Sequence, residues 1–216
     1  MRLAGLVLVA CSCGALQGQH SAGPHPRTDE PRMFVIEKAL PEGAALDLVV
    51  NAGEVRIVRN LQPGQIRLEV GVTGHQLDPV LAQQRWVKRM NVEGGHAAID
   101  LRLPTGRSAG LVTIYVPPVT TLVVKMQGGS LTVAGVKGDK DLRVESGMLT
   151  LRGADPVAYG HVRADVRLGE LTDGVFHSKQ SGLWGGTLIL EGKGRYQLLL
   201  HVGAGDLVLT GEDGGM

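Results

Sequence analysis

Cysteine is nearly missing from this chain. Its 216 residues include two, Cys11 and Cys13, and neither lies in the body, which excludes a disulfide framework or a cysteine-based metal site there. Aromatic side chains are few as well, at 3% of residues, whereas enzymes usually line a pocket or a thick core with them. An excess of either charge is absent too. Twenty-two basic residues face 21 acidic ones for a net charge of +1, and no basic block offers a footprint for nucleic acid. No apolar run reaches the roughly 20 residues that a membrane-spanning helix needs.

Glycine is what the chain has in abundance. Its 32 copies are roughly twice the usual share, and many belong to one returning phrase. The phrase reads Gly129-Ser-Leu-Thr-Val-Ala-Gly135, Gly147-Met-Leu-Thr-Leu-Arg-Gly153, Gly186-Thr-Leu-Ile-Leu-Glu-Gly192 and Gly205-Asp-Leu-Val-Leu-Thr-Gly211, with a shortened copy at Gly169-Glu-Leu-Thr-Asp-Gly174. The closing glycines stand at 135, 153, 174, 192 and 211, so the steps are 18, 21, 18 and 19. A step that regular predicts a stack of coils, each burying its apolar face on its neighbours. Counted from the glycines, Leu131, Val133, Leu149, Leu151, Leu188, Leu190, Leu207 and Leu209 share one offset and are the expected inward ladder. Thr132, Thr150 and Thr172 are expected to form an outward row, with little consequence for stability.

The N-terminus carries a different signal. Arg2 precedes a short apolar run ending Leu8-Val9-Ala10-Cys11, the make-up of a secretory signal. The last four residues resemble a bacterial lipobox. That resemblance implies cleavage before Cys11, lipidation of its thiol, and, from Ser12 rather than Asp, passage to the outer membrane. Two other readings stay open: cleavage after Ala15 to give a soluble secreted protein, and a cytoplasmic protein with an apolar start. Residues 1–10 are thus assigned to the signal and 11–32, rich in Gly, Pro, Ser and His, to a flexible tether. The folded domain spans 33–216.

Within the body, Leu46–Val50 and Val55–Val58 read as strands around an Asn51-Ala-Gly53 turn. Gln65–Val70 alternates strictly, the mark of a half-buried strand. Asp78-Pro79 announces a helix, a capping carboxylate followed by a proline at the first position. One short helix near 79–89 is predicted, with Trp86 as its large apolar anchor, either packing it as a lid or contacting a ligand. Strands resume at Ala98–Leu103 and Leu111–Val116 before Pro117-Pro118 stops the ladder.

Three of these features together, Val50-Asn-Ala-Gly53-Glu-Val-Arg-Ile57, the order strand, short helix, strand, Val116-Pro117, and the paired Gly-x-Leu-Thr phrases one coil apart, resemble the bacterial putative-adhesin family of unknown function. The resemblance covers nearly all of Met33 to Gly211. It implies a toast-rack, right-handed β-solenoid, here an all-β fold with coils of about 18–21 residues, and it carries over no catalytic residue.

Nothing else in the residues points to a reaction. No two histidines have the spacing that converges on a metal from one strand or helix, although His161, His177 and His201 could in principle meet across coils. Asp139 and Asp141 read as strand-end carboxylates on a turn rather than a glycosidase pair. The glycines form neither a phosphate loop nor a nucleophile elbow. Trp184 and Tyr196 are the candidate sugar-stacking residues, with capping of an irregular coil as the plainer reading. The expectation is a non-enzymatic cell-envelope module for adhesion or scaffolding, without cofactor or metal. Its partners would be the membrane, through an acyl anchor, and protein or polysaccharide at the cell surface. A self-assembling, bactofilin-like polymer is the alternative, and a carbohydrate-active β-helix enzyme the third.

Overall fold

The computed structural model describes residues 32–72, 78–104, 111–177 and 185–211. The expected all-β fold with one short helix is what it shows. Thirteen strands join in one sheet. The strands are β1 (Arg32–Ala39), β2 (Ala45–Val50), β3 (Glu54–Arg59), β4 (Gln65–Val72), β5 (Val87–Glu93), β6 (His96–Leu101) and β7 (Leu111–Val116), then β8 (Thr121–Ala134), β9 (Lys140–Arg152), β10 (Tyr159–Leu168), β11 (Leu171–Asp173), β12 (Gly186–Glu191) and β13 (Tyr196–Thr210).

The repeating unit is a bent strand with two arms. In β8, β9 and β13 one continuous strand carries both arms. In β2·β3 and β10·β11 the arms are separate strands meeting at a glycine. Units pair in parallel along both arms: β2·β3 on β8, β8 on β9, β9 on β13, and β13 on β10·β11. The bends stack as a glycine column, Gly53, Gly129, Gly147, Gly205 and Gly169, each with φ between +107° and +134°. A Cβ on Gly129, Gly147, Gly205 or Gly169 would lie 1.8–2.0 Å from the carbonyl oxygen of the preceding glycine in the column. Only glycine permits that φ and that approach together.

Two departures from the sequence reading concern order. Spatially the units run β6·β7, β2·β3, β8, β9, β13, β10·β11. The first unit of the chain is therefore inserted behind the second, and the last between the fourth and the fifth. The phrase Gly186–Gly192 is no coil at all. It forms β12, which closes the first arm by pairing antiparallel with β10, so Leu188 and Leu190 oppose Ala164 and Val162 instead of joining the ladder of Leu131. At the other end β5 pairs antiparallel with β6, and β4 and β1 extend the second arm antiparallel beyond β7.

Six of the eight residues expected in the inward ladder stack in it. Leu131, Val133, Leu149, Leu151, Leu207 and Leu209 are buried, and Leu188 also is, while Leu190 is half-buried. One line of contacts runs Phe34, Val70, Val112, Val55, Leu131, Leu149, Leu207, Leu171 across eight strands. Full burial of each such side chain contributes roughly 1.5–3 kcal/mol, so a slim core holds without aromatics. On the outer face Thr132 opposes Thr150, but Val208 separates Thr150 from Thr172. Thr150 is 9% exposed, covered by its lateral neighbours, so its contribution to packing is larger than an open outward position implies.

The helix α1 spans Pro79–Trp86, and Asp78 caps it by accepting from the Val80 N–H at 2.8 Å. It ends three residues earlier than predicted because Val87 enters β5 and pairs with Leu101. Trp86 and Ala82 are buried while Val80 and Leu81 stay outside, which makes Trp86 the packing anchor.

Candidate functional site

Second arms end, and the chain turns back, along one rim of the stack. Four of the closing glycines, Gly135, Gly153, Gly174 and Gly211, lie there and line a cleft of about 400 Å³. Gly192 does not, since its phrase runs antiparallel. The absence of side chains at these turns opens the cleft. Its walls come from Tyr159 and Tyr196, which stand opposite each other in the register of β10 and β13. Phe176 meets Tyr159 edge-on at 6.5 Å between centroids, so three of the seven aromatic residues converge on this rim. Arg59, Lys137 and Asp155 supply charge. Asp155 caps the 3-10 turn Pro156–Ala158, its Oδ1 accepting from the Val157 N–H at 3.0 Å.

Behind Tyr159 lies the one buried lysine among the described residues. Lys140 is 2% exposed and sits in an inward ladder of Ala97, Leu46, Leu122, Leu198 and Val162. Its Nζ donates to the Tyr159 hydroxyl at 2.8 Å and to the Gly138 carbonyl at 3.0 Å, and lies 5.2 Å from the Tyr159 ring centroid. Burial disfavours the charged amine and lowers its pKa to about 8, with Asp139 pulling the other way. Burial also raises the Tyr159 phenol to about 12, helped by Asp155 and Asp139. Because Tyr159 Oη accepts from an ammonium, its own proton remains to be donated. Sequence reasoning missed this pair. Its signal was there in Lys140-Asp-Leu-Arg-Val144, where strict alternation puts Lys140 on the face of Leu142 and Val144.

The outer face of the first arm carries charged pairs. Arg143 holds Asp141 through Nε and Nη2, both at 2.9 Å. His201 Nδ1 meets Asp165 at 2.5 Å, and His161 Nδ1 meets Glu191 at 2.8 Å. The three histidines considered for a cross-coil metal site are thus not brought together: two have separate carboxylate partners on different rows, and His177 stands at φ +51° past β11. Among the described residues no three His, Cys, Asp or Glu side chains form a metal-holding group. Asp139 and Asp141 part company, Asp139 accepting from the Gln197 N–H at 2.8 Å while Asp141 takes Arg143. Of the predicted site residues Tyr196 lines the cleft, and Cys11 and Trp184 lie outside the described residues.

No protein-family model matches the chain, and no curated protein matches its sequence. Among solved structures, the fold is similar to a putative cell adhesion protein from Clostridium sporogenes over 85% of this chain and 100% of the other, at 13% identity and a TM-score of 0.50. Partial likenesses extend to two proteins of Parabacteroides distasonis. One is a putative adhesin at 10% identity, covering 59% of this chain and 63% of its own with a TM-score of 0.27. The other is a putative lipid binding protein at 11%, 58%, 57% and 0.26. At 13% identity the first likeness is one of fold.

Proposed function

We propose that the chain is a non-enzymatic cell-envelope module for adhesion or scaffolding, built as a two-armed solenoid and held at a membrane through Cys11. The observation that carries this reading is the fold likeness to a putative cell adhesion protein along that protein's whole length. The lipobox-like Leu8-Val9-Ala10-Cys11 is in keeping with it. Acyl chains contribute about 0.8 kcal/mol per buried CH₂, so two or three would retain a domain of this size on a bilayer. The polymer alternative has less support. The first arm ends in antiparallel strands at both extremities, which remove the parallel template that end-to-end growth would copy.

Labelling cells with an alkyne fatty acid tests the anchor. Wild type should take up label, Cys11→Ser should abolish it and leave the precursor uncut, and Cys13→Ser should do neither. An unlabelled wild type beginning at Leu16 would instead be a soluble secreted protein.

A further inference from the structure

A second, shallower depression adjoins the rim cleft. Arg67, Glu69 and Tyr115 line it, and it shares Arg59 and Gly135 with the cleft. We propose that the two form one groove that binds an acidic saccharide, a run of pyranose rings carrying carboxylates. The ligand class deepens the adhesion reading and rests on it only for where the ligand would be met.

Three observations carry the assignment. The first is the placement of aromatics in a chain that has few. Tyr159 on β10 and Tyr196 on β13 wall one end, and Tyr115 on β7 the other. Tyr196, half-buried, presents a flat apolar face for pyranose C–H groups and a hydroxyl for their oxygens, whereas the Tyr115 hydroxyl already donates to Glu69 at 3.2 Å and leaves its ring for contact. Each end also holds a guanidinium over its ring: Arg195 lies 5.8 Å from the Tyr196 centroid and Arg67 6.0 Å from that of Tyr115.

The second is unspent positive charge. Arg67 is neutralised by Glu37 at 3.3 Å and Glu69 at 2.6 Å. Arg59, where the two depressions meet, and Lys137, in the cleft, are exposed, and their side chains have no ion-pair or hydrogen-bond partner among the described residues. Asp155 is the single acid lining the cleft, and one of its oxygens already serves the Val157 N–H. A guanidinium is suited to carboxylate recognition because it can offer two parallel donors. A neutral sugar would leave these cations without partners, whereas a carboxylate at each ring or alternate ring would engage them.

The third is the size of the cleft, in which Tyr159, buried and held at its hydroxyl by Lys140, is a fixed wall. The cleft volume of about 400 Å³ falls in the range of small-ligand sites, and the adjoining depression lets a chain run on.

Titration calorimetry on the purified full chain tests the groove, with oligogalacturonate, oligomannuronate and a sialylated oligosaccharide as probes. Maltohexaose and a hexaglutamate peptide are the neutral and the peptidic comparators. Binding to at least one acidic saccharide is expected, tenfold or more above maltohexaose and hexaglutamate, and weakening as salt rises. Arg59→Ala and Tyr196→Ala should each lower that affinity at least tenfold with unchanged urea midpoints, while Tyr196→Phe should keep most of it. Binding to none of the three acidic probes overturns the proposal. So does hexaglutamate bound as tightly as the saccharides, or full affinity in Tyr196→Ala. Because these are measurements on purified protein, they are independent of the fatty-acid labelling, and either result can fail alone.

Discussion

At the residue scale the bend glycines are the least replaceable positions. Gly147 combines φ +133° with a Cβ position 1.8 Å from the Gly129 carbonyl oxygen. A methyl group there meets backbone, which cannot rotate away as a side chain could. Gly43 has a left-handed φ of +79° but nothing within 4 Å of its Cβ, so it isolates the dihedral cost. Gly147→Ala should lower the unfolding free energy by on the order of 3–5 kcal/mol and Gly43→Ala by about 1–2 kcal/mol. Urea unfolding of both variants checks this, and equal losses would show that the stacked contact is not what demands glycine. The phrase was visible in the sequence, and so was the even step. Which glycine of each pair bends the strand was not, because the opening and closing glycines look alike until the register places one against a neighbour's carbonyl.

At the scale of the element, the inward ladder of the first arm contains one lysine among aliphatics, and its protonation couples to folding. In the unfolded chain the amine titrates near its ordinary 10.5, in the folded chain near 8. Between those values the unfolded state holds the extra proton, so stability rises with pH and the penalty of the buried charge is relieved. Tyr159 acts oppositely. Its folded value of about 12 against an ordinary 10 makes stability fall as pH climbs above about 10. Comparing wild type with Lys140→Met removes the lysine's share alone. From pH 7 to pH 10 the wild type should gain about 2–3 kcal/mol relative to the variant, measured by denaturant unfolding at each pH. A difference that stays flat would mean that Lys140 reaches water in the folded state.

The whole molecule differs from a plain stack in the place of its last unit. A repeat array usually survives the loss of a terminal unit, since each contacts only its neighbours. Here β13, last in sequence, lies between β9 and β10·β11 and pairs along both edges. A chain ending at Arg195 would leave β9 and β10 facing a gap one strand wide, with inward residues such as Leu142 and Leu149 of β9 and Val162 and Val166 of β10 uncovered. It should show no cooperative urea transition. A chain starting at Leu40 loses only the edge strand β1, and should keep a cooperative transition at a lower midpoint. Cooperative unfolding of the first truncation would show that β9 and β10 can pair directly.

Alternation, glycine spacing and the Asp78-Pro79 cap were local properties, and they determined the all-β class, the single helix and which faces of the second arm are buried. Period-2 patterning settles a strand's face wherever that strand pairs, so Leu131, Leu149 and Leu207 could be placed without knowing their neighbours. The same locality hid the rest. A glycine phrase is compatible with a parallel coil or an antiparallel edge, and β12 shows that pairing partner, not composition, makes the choice. Strand order, the insertion of β2·β3 and β13 between other units, and the meeting of Tyr159, Tyr196, Lys137 and Arg59 at one rim were decided only by tertiary structure. Each depends on which strand edges satisfy each other's hydrogen bonds across dozens of residues, and that is a long-range condition no window of sequence contains.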